Sequence, residues 1–149
     1  MPEYIKGGRM RLGWSVLCND FERHDDGTLT LERVFTDTAL GIPLLSPPPV
    51  HVTLNPPVVL VAYWYSESEL DQGRYPAVLR VLAPADNQIL TEWHFAIDLL
   101  SSTSNLTIFH LSDLIFVGDG MYEVHIDVQE FGEWSLVSRN SIFLRKTVQ

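Results

Sequence analysis

The sequence predicts an all-β protein, a two-layer antiparallel β-sandwich of Ig-like, C2-like or jelly-roll-like topology with about eight or nine strands. Three observations carry that reading. Turn signals recur along the chain, at Asp25-Asp26-Gly27, Asp71-Gln72-Gly73, Pro84-Ala85-Asp86-Asn87, Gly118-Asp119-Gly120 and Phe131-Gly132-Glu133. The runs between them are short and rich in Val, Ile, Leu, Thr and aromatic residues, which suit pleated, half-buried backbone. No window of about twelve residues holds a good helical stripe.

The elements follow in order. A first strand over Gly13–Phe21 sets Trp14, Val16 and Cys18 in phase, and a second runs over Thr28–Thr36 after the acidic turn. A Pro-rich connector, residues 41–57, encloses a short strand at Val50–Leu54. Val58–Tyr65 comes next, then one helical turn within Ser66–Gln72. Ala77–Ala83 is almost wholly apolar, with Arg80 its single charge. In the strand Ile89–Ile97, Trp93, Phe95 and Ile97 share one face, and Glu92 and His94, with Asp98 beyond, share the other. Asn105–Leu111 follows. Met121–Val128 alternates cleanly, with Tyr122, Val124, Ile126 and Val128 opposed to Glu123, His125 and Asp127. Trp134–Leu144 closes a terminal hairpin around Gly132. Such alternation belongs to antiparallel sheets with one wet face.

Val58–Tyr65 breaks the wet-outside rule. Val59, Val61, Tyr63 and Tyr65 lie on one face and Val58, Leu60, Ala62 and Trp64 on the other, so both faces are apolar. In a two-layer sandwich the outward one needs a cover. Either the connector or an N-terminal arm over residues 1–11 folds across it, or another chain does. The second case makes Val59, Val61, Tyr63 and Tyr65 interface candidates, burying about 1,200–2,000 Å² in total.

Length and composition set the outer bounds. At 149 residues the chain is read as a single domain over 1–149, able to bury roughly 68% of its unfolded surface. With 46% apolar and 19% charged residues it is no disordered tail. No apolar run approaches the roughly 20 residues of a membrane-spanning helix. Met1–Gly13 holds Lys6, Arg9 and Arg11 without a hydrophobic stretch after them, unlike a signal peptide, so a cytoplasmic protein is expected. The formal net charge is −9 and the pI near 4.8. Between Leu12 and Ser138 only Arg23, Arg33, Arg74 and Arg80 stand against eighteen acidic residues, a poor match for nucleic acid. Cys18 is the sole cysteine and in phase with Trp14 and Val16, which reads as a buried, inert thiol in a reducing compartment.

Trp14-Ser15-Val16-Leu17-Cys18-Asn19-Asp20-Phe21, then Gly27-Thr28-Leu29-Thr30-Leu31 and Val34-Phe35, form a strand ending in a polar-acidic pair, a turn, and a "Gly-x-Leu-x-Leu-x-x-Val-Phe" strand. Together with Asn105-Leu106 and the hairpin opening Gly120-Met121-Tyr122-Glu123-Val124, this resembles a family of short uncharacterised bacterial proteins, a domain of unknown function. The resemblance spans most of the chain. It implies a β-sandwich and brings no catalytic residues. The chain differs from the pattern in its long Pro43–Pro57 connector and long last strand.

Catalytic chemistry finds little footing. There is no Gly-x-Ser-x-Gly elbow and no glycine-rich phosphate loop. The five histidines lack ligand spacing; His94 and His125, each beside acids, could meet only if their strands were neighbours. Glu67, Glu69 and Asp71 are weak candidates for Ca²⁺, with a glycine one position late for the loop pattern. The reading is therefore a protein without catalytic residues or cofactor, a protein-interaction or structural module. Its partner is another protein, or its own copy, held through an apolar sheet face. The alternative is a small-ligand, Ca²⁺/lipid or carbohydrate-binding sandwich using loop acids and aromatics such as Trp64 or Trp134.

Overall fold

The computed structural model describes residues 10–36, 39–111 and 113–147. Among them the chain is all β, with no α-helix. The strands are β1 (Arg11–Arg23), β2 (Leu29–Val34), β3 (Ala39–Ile42), β4 (Val50–Thr53), β5 (Val59–Tyr65) and β6 (Arg74–Leu82). They continue as β7 (Ile89–Asp98), β8 (Ser104–His110), β9 (Asp113–Phe116), β10 (Gly120–Glu130) and β11 (Glu133–Lys146). Eleven strands replace the eight or nine expected, because β3 and β9 are four-residue strands with too little alternation to register in the sequence. The helical turn expected in Ser66–Gln72 is a single 3-10 turn, Glu69–Asp71.

Two sheets form the layers. The first has the order β2-β1-β5-β8 and the second β3-β11-β10-β6-β7, while β4 and β9 pair as a small two-stranded sheet. All pairings are antiparallel except β3 with β11. At one side β1 meets β11, where Ser15 Oγ lies 2.8 Å from Ser138 Oγ and Asn140 Nδ2 donates to Ser15 Oγ at 2.9 Å. At the other side Phe109 of β8 packs against Trp93 and Phe95 of β7. Between the layers lie Leu17, Leu60, Ala62 and Trp64 of the first sheet and Leu79, Tyr122, Val124, Ile126 and Leu144 of the second. Burying each of the larger aliphatic side chains contributes about 1.5–3 kcal/mol.

The connector over 41–57 is not a plain link. Ile42, Val52 and Leu54 reach the main core, and β4 lies within the connector, pairing with β9. The arm expected over 1–11 lies mostly outside the described residues. Met10 is buried, with its N–H donated to Glu130 Oε2 at 3.0 Å, and Arg11 already opens β1.

Tyr122 fastens the turn between β9 and β10. It is fully buried, accepts the N–H of Val117 at 2.8 Å and of Gly118 at 3.2 Å, and donates to the Gly118 carbonyl at 2.7 Å. Burial is the main cause of the upward push on its phenol pKa. Phe116 stacks on the same ring at 6.1 Å. Replacing Tyr122 by Phe leaves those half-buried amides without their acceptor, and urea unfolding is expected to show a loss of about 1–3 kcal/mol.

Candidate functional site

The outer face of the first sheet carries its own apolar cluster. Cys18 of β1 and Val59 and Val61 of β5 are buried there, and Phe21, Leu29, Leu31, Leu106 and Ile108 pack over them. The connector does not provide this cover, since Ile42, Val52 and Leu54 face the main core, and the expected arm lies mostly outside the described residues. The cover comes from β8 and from the β1–β2 hairpin, which turns its apolar side chains back onto the sheet. Arg33, at φ 53 in β2, breaks the pleat where this change of direction falls. Burial raises the pKa of the Cys18 thiol, the change expected when a thiolate loses water.

Beyond this cluster the face becomes aromatic. Trp14, Tyr63 and Tyr65 form a stacked ladder, with ring centroids 6.0 Å and 6.2 Å apart. Gly13 makes the ladder possible. The β1–β5 register shifts between Leu12 and Trp14, and a Cβ at Gly13 would sit 2.5 Å from Tyr63 Cδ2. The Tyr63 ring thus lies against bare backbone at a bulge, where glycine has positional meaning.

The hairpin tip stands over this floor as a wall. Asp26 Oδ1 accepts the Thr28 N–H at 2.9 Å and the Thr28 hydroxyl at 2.6 Å, and these bonds hold its carboxyl below the usual range. His24 N–H donates to the Thr28 carbonyl, Gly27 takes φ 88, and His24 Nε2 lies 2.7 Å from Thr30 Oγ1. Between floor and wall runs an open groove of about 730 Å³, with Trp14 and Tyr63 in its lining. Arg23, His24 and Thr28 line it from the hairpin, and Ser104, Asn105 and Leu106 from β8.

The sequence-predicted residues divide sharply. Val59 and Val61 are buried within the chain itself, whereas Tyr63 and Tyr65 remain half-buried in the aromatic ladder. Trp64, a ligand aromatic only in the alternative reading, is fully buried, its indole N–H donated to Thr107 Oγ1 at 2.9 Å; Trp134 is 48% exposed. Trp14, 37% exposed, is not among the sequence-predicted candidates, although the glycine before it in a strand is a usable signal. Glu67 is engaged by Arg11 at 3.1 Å, while Glu69 and Asp71 sit on the 3-10 turn. Among the described residues no three His, Cys, Asp or Glu side chains come close enough to share an ion.

The histidines His94 and His125 do not meet, because β6 lies between their strands. Arg80 of β6 instead spans the outer face of the second sheet, bonding Glu92 at 2.7 Å and Asp127 at 2.8 Å. His94 lies 3.0 Å from Glu92, and His125 and Arg139 lie 2.6 Å and 3.3 Å from Glu123. No helix among the described residues is long and apolar enough to cross a membrane. No protein-family model matches the chain, and no curated protein matches it.

Two expectations follow from these contacts. Gly13→Ala must push the Tyr63 ring aside, lowering stability by about 1–3 kcal/mol and reducing the near-ultraviolet dichroism of the ladder. Glu92 is held below its ordinary 4.5, first by the hydrogen bond from Arg80 and then by that from His94. A lowered native pKa stabilises the fold fully above that ordinary value, and the gain is lost as pH falls through the native one. Melting temperature measured against pH should therefore fall below about pH 4.5, and Arg80→Met should flatten the fall.

Proposed function

We propose that the chain is a non-catalytic interaction module that holds a partner protein through the outer face of its first sheet. The observation that carries this reading is the Trp14–Tyr63–Tyr65 ladder, whose Trp14 and Tyr63 form the floor of an open groove beneath a hairpin tied by its own hydrogen bonds. Tyr and Trp are the side chains that most often anchor protein interfaces. The groove is concave, so its occupant is a protruding segment that presents an apolar or aromatic side chain. A concave floor has no self-complementary shape to offer its own copy.

A second reading, a small-ligand or carbohydrate site, draws support from the size of the groove and from the polar edge of Thr28, Ser104 and Asn105. Panning a phage-displayed library of random dodecapeptides against the immobilised chain separates the two. The expected outcome is enrichment of peptides with an aromatic or large aliphatic anchor, weakened about tenfold or more by Trp14→Ala and by Tyr63→Ala. Peptides that bind both variants as well as the parent would defeat the protein-partner reading. Tryptophan fluorescence that responds to oligosaccharides, with no peptide enriched, would favour the second.

A further inference from the structure

The four long edges of the two sheets are not treated alike. An exposed edge strand is a template for another strand, and proteins blunt it with charge, proline, bulges or shortness. On the first sheet, β2 carries Glu32 and Arg33, the latter in a left-handed conformation that disrupts the edge. On the second sheet, β3 is four residues long, and β7 carries Glu92, His94 and Asp98. The remaining edge, β8, reads Ser-Asn-Leu-Thr-Ile-Phe-His over seven residues, with no Asp, Glu, Lys, Arg or Pro.

The pairing with β5 defines which backbone groups of β8 are open. At the two ends of that ladder Leu111 N–H bonds the Val58 carbonyl and Ser66 N–H bonds the Thr103 carbonyl. Odd-numbered residues of β8 therefore exchange hydrogen bonds with β5, and even-numbered ones direct N–H and C=O away from it. Ser104 N–H is met by Ser102 Oγ at 3.3 Å. Among the described residues no hydrogen bond reaches the outward backbone groups of Leu106, Ile108 or His110.

We infer that two copies of this chain pair through their β8 edges, antiparallel about a two-fold axis at Thr107, to make one continuous eight-stranded sheet. Antiparallel pairing about that axis sets Leu106 opposite Ile108 of the other copy, twice, through the edge-facing groups that lack partners. Both side chains belong to the outer apolar cluster, which then runs on across the junction. Charge favours a second copy here: the chain is strongly acidic, yet neither β8 nor β5 carries Asp, Glu, Lys or Arg, so the copies approach where their acidic residues do not repel. A two-fold pairing is isologous and closes on itself. Because Ser104–Leu106 also line the aromatic groove, it brings two grooves onto one sheet.

Light scattering on the purified full chain, from micromolar to millimolar, tests the pairing. The expected result is a concentration-dependent rise from 16.9 kDa to twice that mass. Ile108→Lys adds an edge charge, and Leu106→Pro removes an N–H that serves no bond to β5. Each should return a monomer with an unchanged far-ultraviolet spectrum, whereas Tyr63→Ala should leave the dimer intact. A chain that stays monomeric at every concentration overturns the inference and leaves the edge to a strand from another protein. A dimer that survives both β8 variants overturns it as well, because the contact then lies elsewhere.

Discussion

The architecture turns on a single strand that must be kept dry on both sides. Val59, Leu60, Val61, Ala62 and Trp64 of β5 are all buried, so β5 sits in the middle of its sheet with something packed on each face. On the inner side the second sheet does this as an ordinary sandwich core. On the outer side the described residues form no third layer, and the cover comes from the β1–β2 hairpin and the side chains of β8. That cover reaches only as far as Val61. Beyond it, aromatic rings take over, because they can be half-wet and still shield the strand beneath.

The two outer faces consequently differ in kind. That of the second sheet is a network of ion pairs centred on Arg80, with the acids of β7 and β10 on either side. Partly exposed pairs of this sort contribute little stability, but they keep a sheet face soluble and discourage stray contacts. The outer face of the first sheet has the opposite character, with its aromatic floor, its groove and its uncharged edge on neighbouring strands. The proposed binding role falls on that side, because solvation is already provided on the other.

Much of the fold was legible in the sequence because its signals are local. The alternation in Met121–Val128 placed Tyr122, Val124, Ile126 and Val128 inside, and all four are buried. The strands β3 and β9 escaped because four residues carry barely two periods of alternation and their partners are far away in the chain. The candidate site was legible only in part. The double apolarity of β5 points to Tyr63 and Tyr65, but periodicity cannot tell which apolar face a distant hairpin will cover, so Val59 and Val61 stand beside them as interface candidates. In the sequence Trp14 is one member of a regular face with Val16 and Cys18. The bulge at Gly13 and the turning of the hairpin divide that face into a buried part and an open part.

The burial of Cys18 gives the protein a built-in sensor of its own breathing. Its sulfur lies beneath the folded-over hairpin with no exposed surface, and the chain has no second thiol to confuse the signal. An alkylating reagent can reach it only when that flap lifts away from β5, so the labelling rate in native buffer measures the free energy of local opening. Whatever settles against the flap and slows that reaction reports its own binding, with no dye or tag attached.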